Sequence, residues 1–480
     1  MHLVNNKNII DDKIHEECGI FGGYCQCGNI APYIKCALLK LQHRGQESAG
    51  LCAGDKKQTL YKNTGLVSLA LNDAEIKNIS GSFGIGHVRY STFGGDDKEN
   101  IQPFKIFYMG EDVSLAHNGN IPQAHKIREK LKQQGEKFSG SSDSEIILKS
   151  LIFSLKKKPS EWSFDEVAQC LNDNFPHGAY CVILYTKERV MAFRDAFGYR
   201  PLMFARCKQG DFIASEDVGF FGLDIERVIE IAPGQGVEIT CKGYEVKTFA
   251  KSEKISQCVF EQIYFASAAS NIFSKSVYAA RYELGKILAK CEDKDFSPDV
   301  AFPVPDSGLA CAIGYCEALG VPFCHGLIRN VWMERSFIQP QQNKRNKNVR
   351  LKFIPVKSEI EGKKIVLIDD SLVRGTTSSE IVKMLKSAGA AEVHMRSVSP
   401  KIINNCLWGV DIPTKEELIS YNKTDEQIAK QIGADSVKFL PLERLSDVFE
   451  GEMWCKKCFI NTSADDFVNV RTPLGKEEIK

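Results

Sequence analysis

The chain has 480 residues, 43% hydrophobic and 26% charged, which is material for two or three domains with ample cores. Its 62 basic and 61 acidic residues leave a net charge of +1, which argues against a dominant nucleic-acid or polyanion surface. No apolar run approaches the roughly 18 residues of a membrane span, and the polar leader MHLVNNKNIIDDKIHEE lacks the apolar core of a signal peptide. Neither nucleic acid nor membrane is an expected partner, and a cytoplasmic location is expected. The 17 cysteines therefore suggest no disulfide framework; most read as small buried hydrophobes, with a few left as ligands or nucleophiles.

In chain order, the first half carries short strand-like runs between glycine turns: GSFGIGHVRYST, SLAHNGN, GAYCVILYT, RVMAFRD and DFIASE. Helical patterns interrupt them at 31–43, 121–134 and 143–156. APGQGVEIT and KGYEVKTF predict two strands joined by a turn. These features predict an α+β domain with antiparallel sheets.

From about residue 255 the rhythm changes. VYAARYELGKILAKC predicts a long helix, PDVAFPVPDSG a strand entering a loop, LACAIGYCEALG a helix and VPFCHGLI a strand. KKIVLIDDSLVRGTT predicts a buried strand and a glycine-bearing loop, SSEIVKMLKSAGA the helix after it and AEVHMRSVSP the next strand. This alternation implies an α/β domain with a parallel sheet. QPQQNKRNKNVRLK at 339–352 is basic and glycine-free and predicts a mobile loop.

KKIVLIDDSLVRGTT is the most informative stretch. The run IVLI ends in two adjacent carboxylates, Asp369 and Asp370, followed by Ser371, Arg374, Gly375, Thr376 and Thr377 and then a helix. Ligands of open parallel sheets bind beyond the carboxyl ends of strands, and N–H groups at a helix start favour a phosphate. The two carboxylates suit a sugar's vicinal hydroxyls or a hydrated Mg2+ ion. No P-loop pattern occurs here.

This stretch resembles the phosphoribosyl pyrophosphate motif of type I phosphoribosyltransferases. The resemblance implies that Asp369 and Asp370 meet the ribose hydroxyls and metal, and that 371–377 cradle the 5-phosphate. PVPDSGLACAIGY then looks like the pyrophosphate-side loop, with Ser307 near Mg2+. RSFIQPQQNKRNKNVRLK resembles the flexible loop that closes over the substrate, with Arg335, Lys344, Arg345 and Lys352 as sources of positive charge. The run before that loop departs from the family pattern: Trp332, Met333, Glu334 and Arg335 stand where a tyrosine, a branched residue, a glycine and an arginine are usual.

In the first half ECGIFG, LQHRGQESAG, GHVRYSTFG, AHNGN and SGSSDSE follow one another in order. Together they closely resemble the class II glutamine amidotransferase domain, an N-terminal nucleophile (αββα) fold. The resemblance implies that residues 1–17 are a propeptide and that cleavage after Glu17 exposes Cys18 as the nucleophile. A free α-amino group, with a reference pKa of about 7.7–8.0, can then serve as the base. Asn118 and the N–H of Gly119 would stabilise the oxyanion, Arg89 would pair with the glutamine α-carboxylate and Asp143 would bind its α-ammonium. Arg44 is a candidate support for this site; His87 and His117 read as structural.

Cys455 and Cys458 in WCKKCF form a C-x-x-C pair that alone suits a zinc half-site, a redox pair or no ligand at all. With Cys258 in CVFEQIYFA and Cys406 in SPKIINNCLWGVD, the set resembles the ligands of the structural [4Fe–4S] cluster in one branch of the amidophosphoribosyltransferases, with zinc as the chemical rival.

The two domains in this order, 18–255 and 256–480 with a cluster-binding C-terminal extension, resemble the amidophosphoribosyltransferase family. The resemblance implies a glutamine-dependent pentosyltransferase that makes 5-phosphoribosylamine from glutamine and phosphoribosyl pyrophosphate at the first committed step of purine biosynthesis. It also implies ammonia passing between two sites, one Mg2+ ion and one [4Fe–4S] cluster per subunit, purine nucleotides as feedback inhibitors and a homotetramer. ASAASNIF at 266–273 replaces the arginine–proline–aspartate–serine run of many relatives. A non-catalytic sensor of phosphoribosyl pyrophosphate and a glutaminase feeding another acceptor are the competing readings.

Overall fold

The computed structural model describes residues 18–90, 98–122, 124–251, 254–331, 345–410, 412 and 414–461. The leader 1–17 with its expected cleavage point, the altered run 332–335 including Arg335, and Lys344 lie outside the described residues, as does the side chain of Arg345.

Residues 18–248 form two antiparallel sheets. The seven-stranded sheet runs in the order Ile225–Glu230, Met203–Cys207, Gly210–Ala214, Gly19–Cys25, Phe83–Arg89, Ser48–Gly54, Gln58–Thr64. The six-stranded sheet runs Gly243–Thr248, Gln235–Thr240, Arg189–Arg194, Ala179–Thr186, Glu111–Asn120, Phe104–Tyr108. Their facing surfaces share one apolar core that includes Ile20, Ile85, Ile183, Ala192, Ile213 and Val237. Helix Ala31–Lys40 covers the outer face of the first sheet through Ile34 and Leu38. Helices Asp143–Leu155 and Phe164–Asn174 cover the second through Ile147, Leu151, Val167 and Leu171. Central strands such as AYCVILYT are buried throughout, because each face is covered by a second layer. The layering is αββα, as the resemblance to the class II glutamine amidotransferase domain implies. The helix expected over 31–43 stops at Lys40, and a 3-10 turn, Gln42–Arg44, folds the Arg44 side chain inward until it is 1% exposed.

The second half is built on a four-stranded parallel sheet in the order Val300–Pro303, Lys364–Asp369, Glu392–Ser397, Ser436–Phe439. Helices Val277–Lys290 and Leu309–Leu319 pack on one face, around Leu284, Tyr315 and Ile368. Thr376–Ser387 and Asp425–Ile432 pack on the other, around Ile381, Leu385 and Ile432.

Two expectations need correction. VPFCHGLI is not a full strand of this sheet. It contributes only a bridge from Phe323 to Ala301, and its end, Leu327–Arg329, pairs antiparallel with Phe353–Pro355. Pro322 accepts from Ala301 N at 3.0 Å but has no N–H to return. Of the expected mobile loop 339–352, residues 339–344 lie outside the described residues and Arg345–Lys352 is helical, where eight residues without glycine or proline leave helix as the low-cost backbone.

The halves meet where Tyr199 stacks on Trp408 with ring centres 5.1 Å apart and accepts from Cys258 N through its carbonyl at 3.1 Å; Gln257–Cys258, at the start of the second half, pairs parallel with Trp454–Cys455.

Candidate functional site

Cys18 lies where the first strand begins, at φ +63 and 8% exposed. Gly19 is in register with Val88, so Cys18 is set opposite Arg89 at the end of the neighbouring strand. Its Sγ lies 4.0 Å from the Tyr90 carbonyl oxygen, and Arg44 Nε donates to the Cys18 carbonyl at 3.1 Å.

Asn118 and Gly119 belong to Glu111–Asn120 on the other sheet, paired with Cys181 and Tyr180. Both are therefore strand residues. His87 Nε2 donates to the His117 carbonyl at 3.2 Å, and Gln102 Oε1 accepts from His117 N at 2.8 Å, which ties the Arg89 strand to the Asn118 strand. Burial, aided by the Arg89 charge, holds the His87 imidazole well below its ordinary pKa, so it is a neutral strut. Gly119 sits at φ +139, and a Cβ there would come within 2.0 Å of the Ala179 carbonyl oxygen, so only glycine keeps this strand end in place.

The Asn118 amide is wholly buried, and neither its oxygen nor its nitrogen has a hydrogen-bond partner among the described residues. An orphaned buried amide is costly unless a ligand completes it.

Asp143 opens helix Asp143–Leu155, whose cap is Ser142. Its Oδ2 accepts from Ile121 N at 3.0 Å, and its Oδ1 lies 3.7 Å from His117 Nδ1. Burial would raise this carboxyl, but His117 and the N–H groups of Ile121 and Ser144 outweigh it and keep Asp143 ionised. The arrangement offers a thiol, a cation, an amide donor and an anion around the meeting point of the two sheets.

The second centre lies beyond the carboxyl end of Lys364–Asp369. Asp369 and Asp370 are 2% and 0% exposed. Ser307, from the loop after Val300–Pro303, donates through Oγ to Asp370 Oδ2, and Ser371 Oγ donates to Asp370 Oδ1 at 2.8 Å. The two predicted loops therefore converge on one carboxylate. Gly375 caps helix Thr376–Ser387 at φ +80, and a Cβ there would press within 2.1 Å of Ile419. Thr376 and Thr377 lie in the helix's first turn, the end of a helix that favours an anion. Arg374 Nη2 lies 3.8 Å from Glu417 Oε2, and its buried Nε has no hydrogen-bond partner among the described residues. Lys352 ends Arg345–Lys352, with its ammonium 5.4 Å from the Phe353 ring centre.

The four thiols singled out by sequence come together at the junction. Cys258 and Cys455 are paired in register. The carbonyl of Cys458 accepts from Ile403 N and Asn404 N at 3.0 and 3.1 Å, next to the Cys406 loop. Trp408 N donates to Cys406 Sγ at 3.3 Å. Burial raises all four thiols, Cys406 to about 11, and each of the others acts on Cys458 as a like charge. All four are partly exposed thiols at the junction. Among the described residues no three His, Cys, Asp or Glu side chains stand as a group that could hold a metal ion.

Sequence reasoning missed a buried ionic chain. Arg44 donates to Glu216 Oε1 at 2.5 Å and to Glu261 at 3.0 Å, and Arg200 Nη1 donates to Glu261 Oε1 at 3.0 Å. Arg200 Nη2 reaches the Trp408 carbonyl at 3.2 Å. The altered segment 266–273 joins it: Ser267 N and Ser270 Oγ donate to Glu216 Oε2 at 2.9 and 2.5 Å. Only Arg44, within LQHRGQESAG, carried a local signal; the acids are ordinary residues far apart in sequence.

Residues 87–221 match the model of a glutamine amidotransferase domain, and residues 275–402 that of a phosphoribosyl transferase domain. An amidophosphoribosyltransferase of Methanocaldococcus jannaschii is 41% identical over 479 residues, spanning 96% of this chain and 100% of that one. A chloroplastic amidophosphoribosyltransferase of Vigna aconitifolia is 42% identical, over 94% of this chain and 91% of that one. A solved glutamine phosphoribosylpyrophosphate amidotransferase from B. subtilis, complexed with ADP and GMP, superposes with a TM-score of 0.82 at 37% identity, over 92% of this chain and 96% of that one. With both centres set as described and near-complete relatives at this identity, the chain belongs to the amidophosphoribosyltransferase family.

Proposed function

We propose that the two centres work as one enzyme that transfers glutamine nitrogen to phosphoribosyl pyrophosphate, in the purine-forming reaction of this family. Cleavage after Glu17 frees the Cys18 amine, which takes the thiol proton. Cys18 Sγ attacks the glutamine side-chain amide while Arg89 and Asp143 hold the substrate's α-carboxylate and α-ammonium. Asn118 and the Gly119 N–H receive the oxyanion. Ammonia leaves, and water hydrolyses the thioester to glutamate.

Ammonia then passes inside the protein to the second domain and displaces pyrophosphate from the anomeric carbon. Asp369 and Asp370 hold the ribose hydroxyls and, with Ser307, a Mg2+ ion. The phosphate rests on Ser371, Arg374, Gly375, Thr376 and Thr377, and Arg335 and Lys352 supply charge to the closing loop. Held by Asp369, Asp370 and Ser307, a Mg2+ ion would supply positive charge to the pyrophosphate leaving group. Residues 18–255 and 256–480 form the two functional domains in this reading.

Cys258, Cys406, Cys455 and Cys458 hold a structural [4Fe–4S] cluster. Four thiolates are a donor set that iron–sulfur clusters take, with zinc as the chemical rival. Purine nucleotides act as feedback inhibitors, by analogy with the ADP and GMP carried by the B. subtilis relative. The working form is a cytoplasmic homotetramer.

The observation that carries the reading is the orphaned Asn118 amide set across from the Cys18 strand, with Asp370 gathering both loops of the second site. The test is pyrophosphate release from phosphoribosyl pyrophosphate and magnesium, with and without glutamine, on anaerobically purified protein. Glutamine-dependent release matched by glutamate is expected. Glutamate formation indifferent to phosphoribosyl pyrophosphate would favour a glutaminase with another acceptor.

A further inference from the structure

Seven residues from Cys18, at the other end of the same strand, a second pair of sulfurs has no part in the reaction. Cys25 is the last residue of Gly19–Cys25 and is wholly buried; Cys27 lies in the turn that follows and is exposed. Their Sγ atoms are 2.6 Å apart, inside van der Waals contact of two sulfurs. The turn itself brings them together: Gly28 N donates back to the Cys25 carbonyl at 3.3 Å. Its ends are anchored, because Cys25 N donates to the Ser82 carbonyl at 2.7 Å and Ile30 N to the Gly81 carbonyl at 2.9 Å. Little reorganisation separates this arrangement from a bond.

We propose that Cys25 and Cys27 are a redox modification site, a dithiol that closes reversibly to an intrachain disulfide by exchange with a small-molecule disulfide such as glutathione disulfide.

The two thiols differ in the way exchange requires. Partial desolvation works to raise Cys27, but hydrogen bonds from Cys25, the Asn29 backbone and Tyr33 overcome it and leave its pKa lowered. Burial, reinforced by Cys27, pushes Cys25 up to about 11. Cys27 is therefore both the more ionised sulfur and the one a reagent can reach. Its thiolate attacks one sulfur of glutathione disulfide, forms a mixed disulfide and expels one glutathione thiolate. Cys25 then gives up its proton and attacks Cys27 Sγ, which expels the second glutathione. Two cysteine thiols are oxidised, one glutathione disulfide is reduced to two thiols, and the two protons pass to the released glutathiones. A disulfide with its Cys27 sulfur exposed is open to attack by a thiol pool that can reopen it. A metal is the less suited occupant, since among the described residues no third donor stands with the pair.

The test uses the full chain, equilibrated anaerobically in buffers of varied glutathione to glutathione disulfide ratio, quenched by alkylation and digested with chymotrypsin. Cleavage after Tyr24 and Tyr33 gives a peptide that holds Cys25 and Cys27 and no other cysteine. Expected is a form two hydrogens lighter with no alkylated thiol, which grows with glutathione disulfide and disappears with dithiothreitol. In Cys25→Ser the exchange should stop at glutathione on Cys27; in Cys27→Ser the buried Cys25 should stay unmodified. Two alkylated thiols at every ratio would overturn the proposal, as would a lasting glutathione adduct on native Cys27 or a cross-link to another peptide. The native-chain result decides even where Cys25→Ser fails to fold.

Discussion

Arg44 Nε holds the carbonyl of Cys18 at 3.1 Å while the same guanidinium spans Glu216 and Glu261, both wholly buried. One side chain therefore fixes the backbone of the nucleophile to two acids, one of which, Glu261, belongs to the segment that begins the second half. A lysine cannot reproduce this fork of donors. Arg44→Lys should lower glutamine hydrolysis about 10- to 100-fold, the equivalent of about 1.5–3 kcal/mol for a charged hydrogen bond. Pyrophosphate release driven by added ammonia should persist. Parallel loss of both activities in a chain that still melts cooperatively would refute a positioning role for Arg44.

Asn118 gives a sharper separation of binding from chemistry. Its amide is satisfied by no neighbour among the described residues, so its benefit should come when the oxyanion forms. Asn118→Ala should cut kcat for glutamine about 10²- to 10³-fold with little change in KM, and should leave the ammonia-dependent reaction intact. A rise in KM with kcat unchanged would mean that the amide binds ground-state glutamine instead.

How much of this was legible from sequence depends on the range of the interaction. The Asp369–Thr377 loop is contiguous, and a strand, a carboxylate pair and a helix start announce themselves within it. Cys18, Arg89, Asn118 and Asp143 lie on separate elements, and only the resemblance joined them. The Arg44–Glu216–Glu261–Arg200 chain was invisible, because a buried acid looks like a surface acid until its partner is known. VPFCHGLI was misread for the opposite reason: its apolar pattern was right, but sheet pairing depends on N–H groups, and Pro322 removes one.

Asp370 accepts from Ser307 on one oxygen and Ser371 on the other, so its charge organises two loops. Asp370→Asn should weaken phosphoribosyl pyrophosphate binding about 10- to 100-fold and raise the magnesium needed for half-maximal rate. Isothermal titration with and without magnesium reads both effects, and glutamine hydrolysis measured alone should survive. Unaltered binding would remove Asp370 from the site.

The thiol centre makes a prediction with a readout other than catalysis. Anaerobically purified protein should contain iron and acid-labile sulfide in equal amounts, and Cys458→Ser should lose both together. Because Tyr199 stacks on Trp408 and Trp408 N bonds Cys406 Sγ, that loss should also loosen the junction, seen as faster amide exchange near Tyr199. Stoichiometric zinc without sulfide would refute the cluster.

Glu216 ties the junction to pH. Burial alone would raise its carboxyl, but His43, Arg44 and Ser270 hold it well below its ordinary 4.5. A carboxyl depressed on folding binds fewer protons in the native state than in the unfolded one, so its stabilisation is complete above about 4.5 and drains away as pH falls toward the native value. Thermal melts should show Tm falling steeply across that acid range. Glu216→Gln leaves the buried Arg44 with one acid fewer, a change of about 3–5 kcal/mol for a broken buried pair. The variant should be less stable at neutral pH and should lose less further stability on acidification, because the group that titrates is gone. Melting curves for the two chains that stay parallel from neutral pH down through 4.5 would show that Glu216 does not set the acid limit.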